Sequence, residues 1–105
     1  MAQAPERKAA EMVRHAEAAA RLLRALANPH RLLLLCTLAE GERSVGELNQ
    51  SVPLSQSALS QHLALLREDE LVLTRREAQT IYYSLAKGPA LTVINALHSV
   101  YCKAG

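Results

Sequence analysis

The chain has 105 residues, 50% apolar and 21% charged, and a formal net charge of +2 at pH 7. That length suits a single domain spanning 1–105 with a modest core, and so small a positive charge is only a weak hint of an anionic partner. With no Trp, no Phe and 3 Tyr, a stacking platform for single-stranded nucleic acid is excluded.

No Gly-rich phosphate loop, nucleophile–base pair or carboxylate pair is evident, so no enzyme is expected. The apolar run Leu32 to Leu35 is far too short to span a bilayer. The start of the chain lacks the hydrophobic segment of a signal peptide. A cytoplasmic protein with no membrane partner is expected.

Residues 1–5 are expected to lack fixed structure. Glu6 to Leu26 reads as one long Ala-rich helix, Ala being the strongest helix former. Val13, Ala16, Ala20 and Leu23 form one stripe of it. These are mostly small side chains, so the helix can lie close against its own domain or a second copy of the chain. Asn28-Pro29 opens the next helix: Asn28 can cap, and Pro29 loses nothing at the first helical position. This helix carries Leu32-Leu-Leu-Leu-Cys-Thr-Leu38 and stops at Gly41. Apolar on most sides, it is expected to be the central core helix.

Ser44-Val-Gly-Glu47 is a capping box, followed by a short helix to about Ser51. Pro53 disfavours helix at Val52 and forces a tight turn. Ser55 then caps a helix running to Arg67, in which Leu59, Leu63 and Leu66 share one apolar face. The opposite face is Gln56, Ser57, Ser60 and Gln61, polar and uncharged. An ordinary solvated face would carry Glu and Lys. Ser and Gln suit hydrogen bonds to base edges and phosphates. Taken alone this could be a surface helix of a small bundle. Preceded by a short helix and a tight turn, it has the layout of a helix-turn-helix.

After Arg67 the period changes. Leu71 to Arg76 and Thr80 to Leu85 are rich in β-branched and aromatic residues and predict a β-hairpin around Glu77-Ala78-Gln79. The tip lacks Gly and Asn, which leaves the turn type open. Arg75 and Arg76 stand near the tip, where they could reach a phosphate or a minor groove. Lys87-Gly-Pro89 separates the hairpin from a last helix, Ala90 to about Cys102. Leu91, Ile94, Leu97 and Tyr101 line one side of it, and Val93, Ala96 and Val100 another. Two stripes are more than one small domain covers, so a homodimer with this helix at the interface, beside the first helix, is expected.

Ser-Val-Gly-Glu-Leu, then Leu-Ser-Gln-Ser-Ala-Leu-Ser-Gln-His-Leu-Ala-Leu-Leu-Arg, a hairpin ending in Tyr and a final helix resemble the ArsR/SmtB family of winged helix-turn-helix regulators. The resemblance covers roughly Ala20 to Cys102. It implies a mainly α fold with a small β-hairpin, four helices preceding the hairpin and one following it, dimerised through the first and last. It further implies a transcriptional regulator bound to double-stranded DNA at a two-fold symmetric operator. The candidate DNA-contacting residues are Ser55, Gln56, Ser57, Ser60 and Gln61 on the helix and Arg75, Arg76 and Gln79 on the wing.

Many family members sense metals. One family site uses a Cys-x-Cys pair after Glu-Leu, but here Glu47-Leu48 is followed by Asn49-Gln50-Ser51. Another uses Asp and His pairs along the last helix, where this chain has only His98. His15, His30 and His62 lie on separate elements. No metal site and no cofactor is expected. The chain's two cysteines instead match a persulfide- and redox-responsive subgroup, of the HlyU/BigR/SqrR type. By that resemblance Cys36 and Cys102 of one subunit join through a disulfide or polysulfide bridge and thereby control DNA affinity. Two alternatives stand beside this reading: a winged-helix protein-interaction module without DNA binding, and a metal-responsive repressor with a non-standard site. The Ser/Gln face speaks against the first, since a protein-binding helix would show apolar anchors there. One departure from the family is Glu70, where Gly usually ends the recognition helix in a left-handed turn.

Overall fold

The computed structural model describes residues 3–102. The order is α1 (Gln3–Val13), α2 (Ala16–Leu26), α3 (Pro29–Ala39), β1 (Arg43–Ser44), α4 (Val45–Ser51), α5 (Gln56–Glu68), β2 (Val72–Glu77), β3 (Thr80–Leu85) and α6 (Pro89–Tyr101). The strands form one antiparallel sheet in the order β1-β3-β2. Of the five residues expected to lack structure, Met1 and Ala2 lie outside the described residues, and Gln3 to Pro5 begin α1.

The core is leucine packed on leucine. Leu34, Leu35 and Leu38 of α3 meet Leu59, Leu63 and Leu66 of α5, with Leu48, Val52, Val72 and Ile94 closing the sides. Ala25 and Leu26 bring the end of α2 onto this core. Arg31 locks that junction: its Nε donates to the Ala25 carbonyl at 2.8 Å and its Nη2 to the Arg24 carbonyl at 3.1 Å. Those carbonyls lie in the last turn of α2, and that of Arg24 also accepts from the Ala27 N–H at 3.3 Å.

The expected caps are in place. Asn28 Oδ1 accepts from the backbone N–H of His30 and Arg31, with Pro29 following. Ser44 and Glu47 form both halves of the capping box, at 3.1 and 2.8 Å. Ser55 Oγ accepts from the Ala58 N–H at 3.1 Å.

Two features differ from expectation. The helix 6–26 is broken at Arg14 and His15. His15 lies outside helical geometry (φ −111°, ψ 0°), its N–H reaching the Met12 carbonyl three residues back. Propensity favours one continuous helix, but the described side chains of α1 are all exposed, and no packing enforces continuity. Of the two placements left open for it, the stripe through Val13 and Leu23 takes the outward one, at 74% and 56% exposure, whereas Leu22, Ala25 and Leu26 face the core. Finally, Arg43 and Ser44 are a strand, paired with Tyr83 and Tyr82. Two residues are too short to show a period-2 pattern.

The hairpin begins one residue later than expected and turns on Ala78 and Gln79, with Ala78 left-handed at φ 58°. Glu70 is left-handed too, at φ 61°. Its N–H reaches the Arg67 carbonyl, and that of Leu71 reaches the Leu66 carbonyl. This is a Schellman ending for α5 with Glu in the glycine place. Glu70→Gly is therefore expected to raise stability by about 0.5 kcal/mol, once the extra freedom of Gly in the unfolded chain is set against the relieved strain. Urea denaturation measures it.

Candidate nucleic-acid interface and the cysteine pair

Ser55 starts α5 where the turn from α4 ends, so the positive end of the helix dipole projects beside Gln56 and Ser57. Gln56, Ser57, Ser60 and Gln61 are all exposed, opposite the buried Leu59, Leu63 and Leu66. Gln56 lies with Asn49 and Gln50 of α4 and Gln79 and Thr80 of the hairpin on one open cleft of about 690 Å³. A second cleft of about 580 Å³ runs between α5 and the sheet, lined by Ser60, Arg67, Ile81 and Tyr83 among others. The two adjoin at Val45 and Ile81. Helix start and wing tip thus open onto the same groove. Ser57 and Gln61 are exposed but line neither cleft. Ser55 already spends its oxygen on the cap, which leaves its hydroxyl proton as the donor for a phosphate.

The wing arginines part company. Directly paired residues on antiparallel strands point to one face. Arg76 pairs with Ile81, so it shares the face that carries the clefts. It makes no ion pair among the described residues. Arg75 pairs with Tyr82 on the outer face, where Glu42 and Glu77 hold its guanidinium.

Asn49, Gln50 and Arg67 were not among the sequence candidates. The amide pair Asn49-Gln50 carries the same uncharged signature as the α5 face and could have been found by it. Arg67 closes α5 and reads from sequence as a cation favoured by the helix dipole.

Cys36 is half-buried in α3 against the core, and Cys102 is exposed at the end of α6; both are free thiols. Burial pushes the Cys36 thiol up, and the neighbouring Cys102 and Glu40 push it further. At neutral pH Cys36 is held as thiol, the less nucleophilic form.

Two of the dispersed histidines meet. The rings of His30 and His62 lie 5.9 Å apart between α3 and α5, and His30 Nδ1 is buried without a hydrogen-bond partner. Burial lowers the His62 pKa from its ordinary 6.5, helped by Arg31 and His30. The unfolded chain therefore takes up this proton first. The stability tied to neutral His62 is full above pH 6.5 and falls as pH drops between that value and the lower folded one. Denaturation at pH 7.5 and 5.5 is expected to show lower stability at the acid end, and His62→Gln to reduce that difference. Among the described residues, no group of three or more His, Cys, Asp or Glu is placed to hold a metal ion. No helix among them is long and apolar enough to cross a membrane.

Comparison with known proteins bears directly on this geometry. Residues 28–74 match the family described as bacterial regulatory protein, arsR family. The chain is 52% identical over 94 residues to the transcriptional activator HlyU of Vibrio cholerae, covering 90% of this chain and 87% of that protein. Its fold is similar to the crystal structure of the transcriptional repressor BigR of Xylella fastidiosa, with a TM-score of 0.84 at 45% identity, over 90% of this chain and 96% of that one. It is also similar to the homodimeric winged helix-turn-helix DNA-binding domain of Mb0332 from Mycobacterium bovis, with a TM-score of 0.73 at 32% identity, over 92% of this chain and 86% of that one.

Proposed function

Because the chain belongs to the arsR family of bacterial regulatory proteins and is a transcriptional regulator of the HlyU and BigR type, not an enzyme, we propose that it works as a homodimer on two-fold symmetric double-stranded DNA, and that joining Cys36 to Cys102 weakens its grip. The observation that carries the DNA reading is the shared groove. Gln56 at the start of α5 and Gln79 at the wing tip face one cleft, so one duplex can meet both. α5 enters the major groove, with Gln56, Ser57, Ser60 and Gln61 towards bases and phosphates and Arg76 towards the backbone. Such a target puts its work in the cytoplasm.

Exposed apolar side chains support the dimer: Met12, Val13 and Leu23 on the first two helices, and Leu91, Val100 and Tyr101 on α6. A second copy covers them, and the similar Mb0332 domain is homodimeric. Dimerisation also gives two reading helices, as a two-fold site requires.

The sulfur chemistry is assigned by exposure. Cys102 meets a low-molecular-weight persulfide first. Its thiolate attacks the outer sulfur, the persulfide leaves as a thiol, and Cys102 becomes a persulfide. Cys36, once deprotonated, attacks the sulfur attached to Cys102 and expels hydrosulfide, leaving a disulfide; where Cys36 has itself first taken a sulfur from a second persulfide, its terminal sulfur makes the same attack, hydrosulfide leaves, and the bridge holds three sulfurs. Either bond ties core helix α3 to α6 and biases the spacing of the two α5 helices.

The test is titration of a duplex, selected by the wild-type protein from a randomised library, before and after glutathione persulfide. The reduced protein is expected to bind with affinity that falls steeply as salt rises. Treatment is expected to weaken wild type about tenfold, a bias of about 1.4 kcal/mol. Cys36→Ser and Cys102→Ser should bind when reduced and stay bound after treatment. Release of either single variant with wild-type dose dependence would rule out an intramolecular bridge as the switch. Failure of the library to yield any retained duplex would favour a protein-interaction module.

A further inference from the structure

Arg75 is the most heavily engaged side chain of the wing, and none of its partners lies in the groove. Its Nε donates to Glu42 Oε2 at 2.8 Å and its Nη2 to Glu42 Oε1 at 2.8 Å. Its Nη1 donates to Glu77 Oε1 at 3.2 Å. The guanidinium carbon sits 4.5 Å from the centre of the Tyr82 ring. Glu42 follows the end of α3 and precedes β1, Tyr82 belongs to β3 and Arg75 to β2. The interaction therefore crosses the outer face of the whole three-stranded sheet.

We propose that Arg75 is a positioning residue and not a DNA contact: with Glu42 it clamps the wing to the end of α3 and so fixes the angle at which the wing meets the groove. For its effect on DNA this rests on the reading given above. An isolated exposed ion pair contributes little. This one is bidentate, is shared by two carboxylates and is stacked on an aromatic ring, the arrangement in which a guanidinium holds geometry best. It also acts towards the tip, away from the base of the hairpin, which Val72 and Leu85 pack on the core. Main-chain pairing of the hairpin to the body is the short ladder of β1, at Arg43–Tyr83 and Ser44–Tyr82. Glu42 adds a link just beyond the end of that short ladder. For Arg75 to reach a phosphate, three hydrogen bonds would break, and two carboxylates would be left unpaired beside a polyanion. Arg76, one residue on and facing the groove, is the cation suited to the backbone.

The test compares Glu42→Gln, Arg75→Gln, their double variant, Arg75→Lys and Arg76→Gln in the full chain. Readouts are titration of the library-selected duplex at several salt concentrations and hydrogen exchange of the β2 and β3 amides without DNA. With a clamp, Glu42→Gln and Arg75→Gln each weaken binding about fivefold with an unchanged salt slope. The double variant is no worse than either single one, and wing amides exchange faster in all three. Arg75→Lys fails to rescue, because an ammonium cannot hold both oxygens of Glu42. Arg76→Gln lowers the salt slope by about one.

If Arg75 instead contacts a phosphate, Glu42→Gln binds as tightly as wild type or tighter, since a competing anion is gone, and Arg75→Lys binds normally. Either result overturns the clamp. Should wild type retain no duplex, the DNA reading fails by itself. The exchange measurement then decides the clamp alone, and wing amides unchanged in Glu42→Gln would refute it.

Discussion

Leu59→Ala is expected to lower the unfolding free energy by about 3 kcal/mol, within the span of measured core Leu-to-Ala losses. Leu59 is 0% exposed, on the inner face of α5, among the buried leucines of α3, α4 and α5. No neighbouring loop can collapse into the space, because these helices hold one another in place. A domain of this size has only about 5–15 kcal/mol in hand, so the variant should be marginal at 37 °C. Urea denaturation should show a lower midpoint with an unchanged slope. Leu73→Ala is the control: Leu73 is 57% exposed on the outer face of the sheet, and its loss should stay within about 0.5 kcal/mol. Equal effects at the two positions would mean that α5 is not seated as described.

Removing the reading face is expected to have a comparable effect on binding and almost none on folding. Gln56→Ala and Ser57→Ala should each weaken specific binding by about 1–3 kcal/mol for every base edge the removed side chain reads. Competition with non-cognate duplex should show the loss in specificity, while denaturation midpoints stay at the wild-type value. Ser55→Ala does not make this distinction, since Ser55 caps α5 and its loss alone costs about 1 kcal/mol of stability. If the Gln56 and Ser57 variants bind as wild type does, α5 is not the reading helix.

What could be read from the sequence was whatever rests on local chemistry. Asn28-Pro29, the Ser44–Glu47 box and Ser55 start helices through bonds to N–H groups two or three residues away, so residue type and spacing suffice. The leucine periodicity of α5 and the period change after Arg67 are equally local, and with the motif they carried the fold. Three things stayed hidden because they depend on tertiary placement. The break at His15 goes with the exposure of every described side chain of α1, which no propensity records. His30 and His62 lie far apart in the chain and meet only because α3 crosses α5. The fates of Arg75 and Arg76 are decided by strand pairing: a register one residue different would exchange their faces, and nothing in the Arg-Arg pair itself says which one meets Glu42.

Ser44 ends β1, paired with Tyr82, and is also the cap from which α4 starts. No connecting residue separates the strand from the helix. The junction therefore has no slack for changes in chain length. One inserted residue would have to give up either the pairing or the cap, and the wing would swing away from the helix-turn-helix, or α4 would lose its first turn. The turn at Ala78 and Gln79 and the joint at Arg14 and His15 are exposed and carry no such double duty. An insertion at either place is expected to leave the fold standing, whereas one at Gln79 would stand in the groove proposed for DNA. At Ser44 the spacing is fixed to the residue, and this keeps wing and helix-turn-helix in step.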